Sequence, residues 1–226
     1  MNDYLQSIID RDPAAKSKLS LILTYPGIKG GQPDGSRHCS AWLGVCGITA
    51  ASAVGSWSWA GVTAAADLTA DQQEAADAFA AWLKQPVDGT PFVLSGFAGS
   101  GKTFLSMRLL RQVEASGLCW TVVAPTHKAV GVLRQALELE GLQPTWYPST
   151  IHRLLRLKLK RSADAELCEP TEQTAMALEN LGVVLIDEAS MVDSTLLGIA
   201  RQCAHPFKTR LVFVGDPAQL PPVGEP

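Results

Sequence analysis

Paired cysteines, a basic surplus, a cleavable leader signal and a leucine-rich run of membrane length are all missing from this chain, and each absence removes a class of protein. The five cysteines (Cys39, Cys46, Cys119, Cys168 and Cys203) are odd in number and scattered. None stands in a CxxC pair or beside histidine at zinc-site spacing, which argues against a disulfide framework and a zinc module and predicts reduced thiols in a cytoplasmic protein. With 19 basic and 22 acidic side chains the formal charge is −3, so any contact with a polyanion must be local. Asp3, Asp10 and Asp12 sit where a signal peptide would carry cations. The run from Ala41 to Ala66 holds no charge, but Gly, Ala, Ser and Thr dominate it, so no membrane span is predicted. There is no internal repeat.

What the chain does have is Gly96-Phe97-Ala98-Gly99-Ser100-Gly101-Lys102-Thr103, directly after an apolar stretch and opening a helix-patterned segment. A triphosphate brings several negative charges that must be met without side-chain bulk. Glycines let backbone N–H groups turn inward, and the helix N-terminus adds the positive end of its dipole. Gly96, Gly99, Ser100 and Gly101 would form the cradle, Lys102 would reach the outer phosphates, and Thr103 would hold Mg²⁺. The alternative is an ordinary glycine-rich turn. The loop also bears on the uncharged run. Lys16, Lys18, Lys29 and Arg37 precede that run and acids follow it, so a span there would put the loop outside the cell, where ATP is scarce.

Residues 1–67 and 68–226 read as different material. The first part is turn-rich from Pro26 to Gly35 and shows no sustained period, so a poorly defined leader is expected. From Leu68 onward, strand-like and helix-like segments alternate, which predicts an α/β domain with a mainly parallel sheet. The predicted strands are Phe92–Ser95, Cys119–Ala124, Val183–Asp187 and Leu211–Gly215, each continuously apolar as doubly covered strands are. Helical periods fall at Ala75, Phe79 and Trp82, at Leu105, Leu109 and Val113, and at Val130, Leu133 and Leu137, all assigned to the core.

Two further strand ends carry chemistry. Val183 to Ile186 runs into Asp187-Glu188, and adjacent acids at the end of an apolar strand are costly unless they meet a cation, as Mg²⁺–ATP would supply. Asp187 would hold the metal and Glu188 would orient and deprotonate water, against the alternative that both simply cap the next helix. Val212 to Gly215 leads to Asp216-Pro217-Ala218-Gln219, where the Gln219 amide is placed to sense the terminal phosphate. For Asp216 a simple type I turn is the competing reading.

With these motifs in hand, residues 68–226 resemble the first motor domain of superfamily 1 DNA helicases, of the RecD-like and phage Dda-like branch, which implies a RecA-like P-loop NTPase fold. The phosphate loop matches motif I, Ala124 to Ala129 motif Ia, Asp187 to Ser190 motif II and Gly215 to Val223 motif III. The resemblance assigns Gln72 to the adenine base, although Thr69-x-x-Gln72 is also a capping box. It implies that Pro125, Thr126 and Lys128 touch the phosphates of a single strand, with Thr150 and His152 on the same track. It also implies a small hairpin or subdomain at residues 153–181, a single-strand or duplex-junction partner, 5′→3′ movement, and a second motor domain that these residues do not contain. Without that domain's arginine, slow ATP turnover and no translocation are expected.

Arg153, Arg156, Lys158, Lys160 and Arg161 form the one dense basic run, and leucines alternating between them predict a strand returning near Glu166 to Glu169. Arg156, Lys158 and Lys160 are the candidate phosphate contacts, against a solvated hairpin. No aromatic lies between Arg153 and Gly182, so the hairpin has no aromatic wedge of its own. His127 and His152 lack any catalytic constellation. A P-loop binding or regulatory module without motor function is the alternative reading of the whole. Asp10 to Gly27 faintly resembles the N-terminal helical region of serine acetyltransferases, and with no hexapeptide repeat after it no function attaches.

Overall fold

The computed structural model describes residues 20–23, 68–161 and 166–219. The turn-rich leader segment, the uncharged run, most of the acetyltransferase-like stretch, Cys39, Cys46, the tip of the basic hairpin and the tail of the third motif fall outside them. The strands, in chain order, are β1 (Ser20–Leu23), β2 (Phe92–Gly96), β3 (Trp120–Ala124), β4 (Ser149–Thr150), β5 (Lys158–Arg161), β6 (Glu166–Glu169), β7 (Val183–Ile186) and β8 (Arg210–Gly215). The helices are α1 (Ala70–Leu83), α2 (Lys102–Ala115), α3 (His127–Glu140), α4 (Ile151–Leu154) and α5 (Ser194–Phe207). Six strands form one sheet in the order β1-β2-β8-β7-β3-β4, and every neighbouring pair is parallel.

The central strands β2, β3, β7 and β8 are largely apolar because both faces are covered. Phe92, Leu94, Val122, Val183, Leu185, Val212 and Val214 join one core with α1, α2 and α3, while Val93, Val123, Val184, Ile186, Leu211 and Phe213 join a second with α4 and α5. Alternate residues of each strand thus serve opposite layers. All nine residues assigned to helical core positions are buried. Phe79, Trp82 and Phe92 close the first core, with ring centroids 5.0 to 5.6 Å apart and the Phe79–Phe92 pair edge to face.

The basic run differs from its sequence pattern. Only Lys158–Arg161 is a strand, pairing antiparallel with Glu166–Glu169. Arg153 lies in α4, Leu155 is buried, and Arg156 turns left-handed at φ 53°. The alternation of leucines before Lys158 therefore reflects a helix end tucked under the sheet rather than a strand.

One long-range contact ties the two ends of the domain. Arg210, at the start of β8, donates to the carbonyls of Leu83 (3.1 Å) and Gln85 (2.6 Å), and its guanidinium lies 5.5 Å from the Trp82 ring centroid. It satisfies carbonyls at the end of α1, which has no basic residue in its own last turn. Arg210→Ala should cost about 1–2 kcal/mol in a urea titration. An unchanged midpoint would show these bonds to carry no net stability.

Candidate nucleotide site at the carboxyl edge of the sheet

In a parallel sheet all carboxyl ends share one edge, and β2, β8 and β7 are consecutive neighbours there. Ser95 pairs with Gly215 and Ile186 with Phe213, so the phosphate loop, Asp216 and Asp187-Glu188 leave the sheet side by side. The loop turns at Phe97–Ser100, where the Ser100 N–H donates to the Phe97 carbonyl at 3.1 Å. Gly99 (φ 79°) and Gly101 (φ 82°) take left-handed conformations that side chains resist, and Gly101 is the N-cap of α2. Thr103 lies on the first turn of that helix.

Lys102 folds back over its own loop. Its Nζ donates to the carbonyls of Gly96 (2.7 Å) and Phe97 (2.9 Å) and lies 3.9 Å from Asp216 Oδ2, with side chains 16% and 4% exposed respectively. Burial pulls the ammonium's pKa down, and Asp216, then Asp187 and Glu188, oppose that pull. Asp216 is thus an electrostatic partner of the loop lysine, as well as the Asx-turn residue whose Oδ1 accepts the Ala218 N–H at 2.9 Å.

Asp187 Oδ1 accepts the N–H of Glu188 at 2.9 Å, and Glu188 sits at φ 51°, a left-handed elbow that turns the chain sharply off β7. Such a conformation costs a non-glycine residue about 1 kcal/mol or more, and it places the acid beyond the strand end. Ser190, fully buried, donates to Gln219 Oε1 at 2.7 Å and joins the second and third motifs. The sequence pattern did not assign this bond, because a serine after two acids carries no signal of its partner 29 residues on.

Gln72 caps its own helix and also reaches the phosphate loop. Thr69 N–H donates to Gln72 Oε1 (3.1 Å) and Gln72 N–H to Thr69 Oγ1 (3.3 Å), a complete capping box, while Gln72 Nε2 donates to the Ser100 carbonyl at 3.2 Å. A Cβ on Gly101 would meet that Nε2 at 2.7 Å. Helix α1 and the phosphate loop are therefore packed to contact.

The strand-binding candidates gather at the other half of the edge. Ala124 pairs with Thr150, so Pro125-Thr126 and Thr150 stand beside each other. Thr126 Oγ1 caps α3 by accepting from Ala129 N–H (3.2 Å), and Thr150 Oγ1 caps α4 by accepting from Arg153 N–H (3.4 Å). Lys128 is exposed and His152 half-buried. Arg156 and Lys158 are exposed at the root of the β5–β6 hairpin, which also carries Lys160.

The family model described as AAA domain matches residues 67–226. The subunit RecD of the RecBCD enzyme of Mycolicibacterium smegmatis is 34% identical over 148 residues, covering 57% of this chain and 25% of that protein. The ATP-dependent RecD2 DNA helicase of Deinococcus radiodurans is 32% identical over 131 residues, covering 58% of this chain and 16% of its own length. The crystal structure of Bacteroides sp Pif1 in complex with ADP-AlF4 has a TM-score of 0.47 at 25% identity, covering 70% of this chain and 34% of that one. The chain belongs to this AAA-domain family, and its resemblance is to RecD-like superfamily 1 helicases, so residues 68–226 are a helicase-family P-loop NTPase domain. It spans a quarter or less of the two curated relatives. Among the described residues no helix is long and apolar enough to cross a membrane.

Asp187 offers a direct test of the site's electrostatics. Burial raises its pKa, and neighbouring Glu188 adds to the rise, while the Glu188 N–H and Lys102 oppose it. A carboxyl raised above its unfolded value holds its proton more tightly when folded, so its charge costs stability at neutral pH, a cost that disappears as pH falls through the folded pKa. Asp187→Asn should therefore melt above the nucleotide-free parent at pH 7, with the gap closing as the solution is acidified. A lower melting temperature at pH 7 would mean that attraction to Lys102 outweighs burial.

Proposed function

We propose that this domain binds Mg²⁺–ATP and single-stranded DNA as the first motor domain of a 5′→3′ DNA helicase acting at single-strand or duplex-junction substrates in the cytoplasm. The observation that carries the reading is the convergence of Lys102, Asp216, Asp187 and Glu188 on three adjacent strand ends, with Gln219 held to the same edge through Ser190. The donor set fits the ligand. Ser100 Oγ is buried without a hydrogen-bond partner, inside a cradle where Gly101 takes a positive φ of 82° and the Gln72 amide stands 2.7 Å from where its Cβ would be. Among the described residues no cluster of three or more His, Cys, Asp or Glu could hold a metal. Mg²⁺ would accordingly rest on the hard oxygens of Thr103 and Asp187 together with phosphate and water, as this cation prefers.

Bound Mg²⁺–ATP supplies the phosphoanhydride and its charge. Lys102 exchanges two neutral carbonyls for phosphate oxygens, a stronger charge-assisted contact. Glu188 positions and deprotonates the attacking water, and Gln219 registers whether the outer phosphate is present. Gln72 is the candidate reader of the adenine edge. On the other half of the edge, the N-terminus of α3 and Lys128 receive backbone phosphates of the strand.

Lys102→Ala removes the one point charge placed on the outer phosphates, so nucleotide affinity measured by calorimetry should fall at least tenfold. Equal binding by the variant would sink the nucleotide assignment.

The proposed strand contacts are few and mostly directed at phosphate, so single-strand affinity should fall steeply with salt. Each cation in contact contributes roughly −0.7 to the log–log slope. Lys128→Ala should weaken binding and flatten that slope by about one such increment. A slope unchanged by this substitution would remove Lys128 from the track.

A further inference from the structure

Tyr147 is 73% exposed, the most open of the large hydrophobic side chains among the described residues. It is nonetheless held firmly. The Arg134 guanidinium lies 4.3 Å from its ring centroid, and the same side chain donates to the Pro148 carbonyl at 3.3 Å from Nε and 2.7 Å from a terminal nitrogen. Beside it opens a cavity of about 300 Å³, walled by Trp146, Tyr147, Arg153, Leu154 and Arg156. Trp146 is packed against the second core, and its carbonyl accepts from Thr121 Oγ1 at 2.8 Å. Arg156 is anchored at the hairpin root, its carbonyl accepting from Thr171 Oγ1 at 3.0 Å. The walls contain two aromatic rings and two arginines but no carboxylate.

A flat apolar wall with cations around it suits a ligand that is both planar and anionic. The position narrows the choice further. Pro148 leads directly into Ser149-Thr150, which pair with Val123-Ala124, so the cavity lies next to Pro125-Thr126 on one side and leads into the basic strand β5 on the other. We propose that this cavity takes a nucleobase of single-stranded DNA, stacked on the Tyr147–Trp146 wall, with the flanking phosphates on Arg153 and Arg156. This rests on the reading of the domain as a DNA-binding motor. It also supplies from Trp146-Tyr147 the aromatic surface that the hairpin sequence lacks.

The test is fluorescence anisotropy of the whole chain with labelled oligothymidylate and with an abasic strand of equal length, at low salt. Tyr147→Ala should weaken oligothymidylate binding about tenfold, within the range of base–aromatic stacking, and leave the abasic strand unaffected. Tyr147→Phe should restore parent affinity, and Lys128→Ala should weaken both strands alike. If Tyr147→Ala binds oligothymidylate as the parent does while Lys128→Ala still loses affinity, the base site is wrong and the DNA reading stands. Equal losses on both strands would assign Tyr147 a backbone or structural role and overturn the base site. If the parent binds neither strand, the DNA reading fails and the base site fails with it.

Discussion

The ammonium of Lys102 has to be kept charged at a place where water is largely excluded, and the local architecture is arranged around that requirement. The two strands beside its own loop deliver one carboxylate at 3.9 Å and two more whose fields act against its desolvation. Its own loop adds two carbonyls within 2.9 Å. These partners satisfy the lysine without neutralising it, because carbonyls carry only partial charge and the acid stands beyond close contact. The left-handed glycines follow from the same demand, since the loop that curls its carbonyls onto one lysine takes positive φ at Gly99 and Gly101, where side chains are strained.

Sheet order turns this local requirement into a site. Chain order would place β3 after β2, but β8 and β7 lie between them, so motifs more than eighty residues apart become neighbours. The Ser190–Gln219 bond then spans the ends of β7 and β8 and fixes Gln219 relative to the acids Asp187 and Glu188. Ser190 is fully buried, so its hydroxyl has no water to turn to, and breaking the bond would leave a buried donor unmatched. That gives the Gln219 amide a defined resting place. The same edge continues through β3 and β4, which sets the strand-binding candidates in line with the nucleotide candidates on one continuous rim.

What was legible in the sequence follows from range. Continuous apolar runs reported the buried strands β2, β3, β7 and β8 to within a residue or two, because double coverage leaves no polar alternation. The glycines of the phosphate loop reported themselves by spacing alone. Asp216 did not, since its role as the ion-pair partner of Lys102 depends on the pairing of β2 with β8, and a Gly-Asp-Pro sequence is equally well explained by its turn. Arg210 was silent for the same reason, its partners lying more than a hundred residues earlier. The strand β4, two residues long, is too short for any period. The leucine alternation after Arg153 misled because Arg156 breaks the chain with a positive φ that an arginine does not advertise. Trp146 and Tyr147 were unremarkable in a segment with neither period nor motif, and only the fold sets them beside Arg153 and Arg156.

Gln72 shows how a capping residue can keep hydrogen-bonding capacity to spare. Its amide orientation is fixed by its partners, because the Thr69 N–H requires an oxygen and the Ser100 carbonyl requires an N–H. A carboxamide has two N–H hydrogens and two lone pairs on its oxygen, and these two bonds use one of each. One donor and one acceptor remain on the same planar group, the complement of the N6 donor and N7 acceptor that an adenine edge presents. The capping box therefore does not consume the residue. It holds the amide in one orientation, while the bond to Ser100 makes its position depend on the shape of the phosphate loop.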